Sequence, residues 1–145
     1  MFERALLPAV AGPLLRLRSV PGHTDSIRIE IETSAGKTSV EGAVILDKPR
    51  LLSVDGIYCE APLDGYLLYL KNLDVPGVIG YVGTVMGKNG INIANFSLGR
   101  EESNPSDPGP AKATAIISCD AAVPEHVMSQ LLENPNIRQA RNVEF

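Results

Sequence analysis

The chain has no tryptophan, and only four Tyr and three Phe are spread along its 145 residues. It has no cluster of Lys or Arg, no aromatic motif of the RNA-binding kind, and a formal net charge of −4. Phosphate backbones are bound by basic faces, so nucleic acid is a poor partner for this chain. Cysteine is nearly absent. Cys59 and Cys119 stand far apart, whereas a secreted disulfide scaffold carries more cysteines at closer spacing. Both read as buried free thiols of a reducing, cytoplasmic compartment.

Long apolar runs are also missing. Residues 5 to 15 are mildly apolar but are broken by Pro8, Gly12 and Pro13 and preceded by Glu3. That stretch is too short to span a bilayer and carries the wrong flank for a signal peptide. Residues 1–22 read as an irregular N-terminus, and no membrane partner is expected. No Gly-x-Gly-x-x-Gly follows a strand, so no dinucleotide fold is evident. His23 and His126 lie far apart without a nucleophile or acid motif around them. No set of three or four donors has metal-site spacing, so neither a catalytic set nor a metal site is expected.

What is present is enough for a real core, at 44% hydrophobic residues, in one domain or two small ones. Residues 26 to 33 (Ser-Ile-Arg-Ile-Glu-Ile-Glu-Thr) alternate strictly and predict a strand with one apolar and one charged face. A turn at 34–37 leads to a second strand over 38–46, with Gly42 as a candidate bulge, ended by Asp47-Lys48-Pro49. Asp55-Gly56, flanked by short apolar runs, is a strong hairpin signal. Strands and turns over 26–60 with no helix leave one sheet face in need of a cover.

From Tyr66 the periods change. A strand over 66–70 precedes Val78, Ile79, Val82, Val85 and Met86, which recur at helical spacing. Pro76 suits the first helical turn and Gly90 the left-handed cap. Strands over 91–98 and 113–119, a helix over 124–132 and a strand over 137–143 follow. The order is βαββαβ, which makes the fold class α+β and ferredoxin-like, with both helices on one face of an antiparallel sheet. Residues 101–110 form a loop rich in proline, and Glu101 and Glu102 at its start read as solvated.

The segment Asn72-Leu73-Asp74-Val75-Pro76-Gly77-Val78-Ile79-Gly80 places two small polar side chains before a helix start. Such a start is a row of unpaired N–H groups with partial positive charge. Asp74 there can cap the helix or receive a ligand's ammonium. The N–H groups near Gly77, Val78 and Ile79 can receive a carboxylate. Together these suit a free amino acid. Gly80 and Gly83 each cost about 1 kcal/mol relative to Ala in a helix, so both are expected to pack closely against another backbone. That backbone is either the sheet beneath or a partner. Arg100 can pair with the nearby acids or with a partner chain. His126 and Met128 read as packing or surface residues.

Asn72-x-Asp74-x-Pro76-Gly77-Val78-Ile79-Gly80, then Val82-Gly83-Thr84, Gly87, Gly90-Ile91-Asn92-Ile93-Ala94 and Leu98-Gly99-Arg100, resemble an ACT domain. The pattern is similar to the C-terminal regulatory region of the D-3-phosphoglycerate dehydrogenase family. Val40-Glu41-Gly42-Ala43 and Val54-Asp55-Gly56-Ile57 resemble the end of the intervening domain of its longer bacterial forms. The resemblance implies a partial, strand-rich intervening domain of the allosteric substrate-binding type over 23–65 and an ACT domain over 66–145. It implies feedback sensing of L-serine, or a similar small amino acid, where two ACT domains of a homo-oligomer meet. The implied ligand set is Asn72, Asp74, Gly77, Val78, Ile79, Asn92 and Ile93. Relatives often carry His or an aromatic residue at the position of Asn72. No cofactor is implied for this chain, and NAD would sit in the catalytic domains of the parent enzyme. The chain thus looks like a regulatory region without catalytic domains. Two alternatives are an ACT-containing part of an iron–sulfur L-serine dehydratase, whose cluster two lone cysteines cannot ligate, and a dimerising ACT module without ligand.

Overall fold

The computed structural model describes residues 14–19 and 26–145. The expected irregular N-terminus falls outside these residues except at 14–19, and there the expectation is corrected. Leu14–Ser19 forms strand β1, antiparallel to β2 (Ser26–Thr33). The cause is local: Leu-Leu-Arg-Leu-Arg-Ser alternates, and β2 offers an open edge for it to pair with. His23 also lies outside the described residues.

β2 continues into β3 (Gly36–Ile45), β4 (Lys48–Val54) and β5 (Ile57–Pro62) as one antiparallel meander in the order β1-β2-β3-β4-β5. The register shifts between Glu41 and Gly42, so Gly42 does mark a bulge. Its place is tight, because a Cβ there would lie 3.0 Å from the Arg50 carbonyl oxygen. Lys48 and Pro49 do not end the strand as expected. They open β4, and only Leu46 and Asp47 turn the chain, both at positive φ (51° and 59°). Asp55 (φ 50°) and Gly56 (φ 80°) make the expected hairpin turn with both residues left-handed, as a type I′ turn requires.

The second sheet contains β6 (Tyr66–Leu73), β7 (Ile93–Arg100), β8 (Lys112–Cys119) and β9 (Ile137–Glu144), in the order β7-β8-β6-β9. Helix α1 (Val78–Lys88) connects β6 to β7, and α2 (Glu125–Leu132) connects β8 to β9. This is the ferredoxin-like βαββαβ arrangement, mixed α+β as expected from the sequence. α1 ends in a Schellman motif: Ile91 N–H donates to the Met86 carbonyl at 3.0 Å and Gly90 N–H to the Gly87 carbonyl at 3.1 Å. Gly90 takes φ 69° for that purpose.

The two faces of this sheet bury different partners. Leu68, Leu70, Ala115 and Ile117 face the helices and pack with Val82, Met86, Val127 and Leu131. Each fully buried Leu, Ile, Val or Met side chain among them contributes roughly 1.5–3 kcal/mol. Leu67 and Ile116 face the other way and pack with Leu51, Val54, Cys59 and Ala61 of the first sheet. The cover that the helix-free strands required is therefore the back of the ferredoxin-like sheet. Cys59 and Cys119 are both buried free thiols. Among the described residues, no helix is long and apolar enough to cross a membrane.

Candidate functional site

β6 runs three residues beyond its expected end because Lys71, Asn72 and Leu73 pair with Thr114, Ala113 and Lys112 of β8. Asn72 is therefore a strand residue, on the helix-facing side with Leu68 and Leu70, and 5% exposed. Its side-chain N–H donates to the Leu73 carbonyl at 2.9 Å. Asn72 thus sits beneath the α1 start as a buried, internally bonded amide.

Asp74 follows the strand end, its backbone N–H bonded to the Ala111 carbonyl at 2.8 Å. It does not cap α1. The N-cap is Gly77, with φ 93° and ψ −17°, and no side chain bonds the helix start. Those dihedrals are those of position i+2 in a type II turn, where Pro is favoured one residue earlier. Pro76 therefore sits in the turn before the helix and not in its first turn. Tyr81 N–H donates to the Gly77 carbonyl at 2.9 Å and opens the helical ladder. The amides of Val78, Ile79 and Gly80 precede it. Val78 is buried and Ile79 is 51% exposed. The first turn carries no acid.

Arg100, at the end of β7, places Nε 3.1 Å from Asp74 Oδ2. The register explains this meeting: Asn72 and Arg100 both lie opposite Ala113, from either side of β8. Sequence reasoning left Arg100 open between partners, because proximity across an intervening strand has no local signal.

Asn92 and Ile93 lie at the other end. Ile93 opens β7 opposite Cys119, half-buried against the helix-side core. Asn92 precedes the strand, contrary to the expectation that the strand starts at Ile91. Its side-chain N–H donates to Asp120 Oδ2 at 2.9 Å. β6 and β7 are both antiparallel to β8, so they run parallel to each other. The length of β7, at about 3.3 Å per residue, puts Asn92 roughly 25 Å from the Asp74–Arg100 pair. Within one chain, Asn72, Asp74, Gly77, Val78 and Ile79 are brought together and Asn92 and Ile93 are not.

Gly80, Gly83 and Gly87 line an exposed strip of α1, and a Cβ at any of them would meet nothing within 4 Å. Of the two backbones expected to approach Gly80 and Gly83, the sheet beneath does not.

Comparison with known proteins shows a consistent kinship. A D-3-phosphoglycerate dehydrogenase of Methanocaldococcus jannaschii is 38% identical over 114 residues, which are 79% of this chain and 21% of that enzyme. The enzyme of the same name from Synechocystis is 27% identical over 128 residues, 88% of this chain and 22% of the enzyme. That of Bacillus subtilis is 28% identical over 96 residues, 66% and 17% respectively. This chain is homologous to one segment of D-3-phosphoglycerate dehydrogenase. It spans about a fifth of the length of the relatives it matches. No family model matches it.

Among the described residues, no group of three or more His, Cys, Asp or Glu gathers as metal ligands. The glycines of α1 lie inside the helix and past its N-cap. They do not form the tight strand-to-helix turn on which a dinucleotide pyrophosphate rests.

Proposed function

We propose that the ferredoxin-like unit over 66–145 is an ACT domain that binds a small amino acid, L-serine foremost, to regulate a phosphoglycerate dehydrogenase of serine synthesis in the cytoplasm. The observation that carries this reading is the uncapped start of α1 beside the Asp74 carboxylate. The amides before the ladder suit the ligand's carboxylate. Asp74 suits its ammonium, displacing Arg100 to do so. An exposed pair of this kind is worth only about 0.2–1 kcal/mol, so a ligand can displace it.

The site takes in Asn92 through a second copy. β7 is an edge strand. Pairing it antiparallel with β7 of another copy brings Asn92 of one chain to the Arg100 end of the other. The glycine strip of α1 would then meet its counterpart, since α2 packs along β9 and leaves α1 over the β7 side. Ligand binding stabilises one orientation of that pair and so shifts an existing equilibrium in the parent enzyme. NAD belongs to the catalytic domains of that parent. The residues here do not fit it, and no step in this chain runs through it.

Calorimetry with L-serine tests the reading. The expected result is saturable heat at one serine per Asp74-containing site. A folded dimer that gives no heat at millimolar serine overturns it. A dimer whose stability no amino acid changes would favour the purely dimerising module.

A further inference from the structure

The row of the ferredoxin-like sheet next to the Asp74–Arg100 pair is gripped by the first sheet at two points, on edge strand β7 and on β6. Gly99, Thr114 and Lys71 form that row across β7, β8 and β6. Arg100, Ala113 and Asn72 form the next one. At one end β5 crosses β7 so closely that a Cβ on Gly99 would overlap the Tyr58 carbonyl oxygen. It would also lie 2.8 Å from Ile57 Cγ2 and 2.9 Å from Cys59 Cβ. On β6, two strands away, Lys71 Nζ donates to Asp55 Oδ2 at 2.8 Å. Asp55 is itself fixed in its hairpin. Its Oδ1 accepts from Thr38 Oγ1 at 2.6 Å and from Ser39 N–H at 2.9 Å, and its own N–H donates to the Ser39 carbonyl at 2.7 Å. Thr114, in the middle, is buried.

We propose that the first sheet acts as a clamp on the amino-acid site, with Gly99 and Lys71 as the positioning residues through which it sets Arg100 and Asp74. This rests on the amino-acid site proposed above. Gly99 is covalently next to Arg100, and Lys71 is next to Asn72 and three residues before Asp74. A shift of β5 or of the Asp55 hairpin therefore moves the ends of β7 and β6 that carry the pair. Linkage makes the effect reciprocal: a ligand that prefers one setting of the pair also prefers one setting of the first sheet. Gly99 permits the close crossing, and the Asp55–Lys71 bond is the charged link between the sheets.

Hydrogen exchange on the full chain, with Lys71→Met and Gly99→Ala, tests the clamp with and without L-serine. The amides of Asp74 and Glu101, bonded to the Ala111 and Lys112 carbonyls, report the site end. The Leu68 amide serves as the core reference. Without ligand, both variants should speed exchange at Asp74 and Glu101 relative to Leu68, and Lys71→Arg, which keeps a cation opposite Asp55, should leave it near the wild-type rate. With L-serine, the wild type should gain protection at Ser39 and Asp55, and Lys71→Met should bind about fivefold more weakly or worse, the lower end of usual coupling. Unchanged exchange at Asp74 and Glu101 in Lys71→Met overturns the clamp whether or not serine binds. Clamp-dependent exchange with no serine binding in the wild type overturns the amino-acid site and leaves the mechanical link standing. Should Gly99→Ala not fold, Lys71→Met and the conservative Lys71→Arg carry the test.

Discussion

Arg100 Nε lies 3.1 Å from Asp74 Oδ2 and joins the end of β7 to the loop between β6 and α1. The pair covers the Asp74 carboxylate beside the uncapped helix start. A cationic ligand group competes with Arg100 for Asp74, while the ligand's carboxylate finds both the helix amides and the released guanidinium. Removing Asp74 should therefore weaken L-serine binding by about tenfold or more, since a charge-assisted hydrogen bond contributes about 1.5–3 kcal/mol. Arg100→Met should leave thermal stability nearly unchanged, because an exposed ion pair contributes little. Calorimetry and thermal melts on Asp74→Ala and Arg100→Met check both.

Asn92 offers a sharper test of where the site is completed. Asp74→Ala and Asn92→Ala should each lose serine binding in pure dimers. Mixing the two after dissociation should restore about a quarter of the wild-type sites, because half of the randomly paired two-fold dimers are mixed and each has one intact site. No recovery on mixing would place the whole site within one chain.

The exposed glycines of α1 separate helix stability from assembly. Gly83→Ala meets no atom within 4 Å in its own chain. It should stabilise an isolated monomer by up to about 1 kcal/mol through helix propensity. Gly83→Phe should leave the monomer folded and abolish dimerisation if α1 strips pack together. Sedimentation across a concentration series distinguishes these outcomes.

The Asp55–Lys71 link should be pH-dependent at both extremes. Burial opposes ionisation of Asp55, but the hydrogen bonds from Lys71, Thr38 and Ser39 outweigh it and hold its pKa below the ordinary value. Its contribution is thus complete above the unfolded-state pKa and is lost as pH falls through the folded one. The Asp55 hydrogen bond raises the Lys71 pKa. Its contribution is complete below the unfolded-state value and is lost as pH rises through the folded one. Asp55→Asn should therefore flatten the acid limb of the stability profile measured by denaturant melts between pH 2 and 5.

Cys59 and Cys119 should resist alkylation in the folded protein. Both are buried, and burial pushes both thiols up from their usual range, so little thiolate is present at neutral pH. Labelling should follow denaturant unfolding, and fast labelling of either in native buffer would show that its sheet opens locally.

The sequence alone determined the local elements. Period-2 alternation from Ser26, the Asp55-Gly56 turn and the apolar spacing of α1 each depend on neighbours within a few residues, and those forces are written in the chain. It also placed Asp74 beside a helix start, because Pro76 and Gly77 mark where that helix begins, although the turn they form before it was not legible. The pairing of Asp74 with Arg100, the extension of β6 through Asn72 and the separation of Asn92 from both were decided only by tertiary structure. Each depends on β8 lying between β6 and β7, and strand order is set by burying two sheet faces at once. The same holds for Gly99: only when β5 is laid over β7 does the lack of a side chain become a requirement.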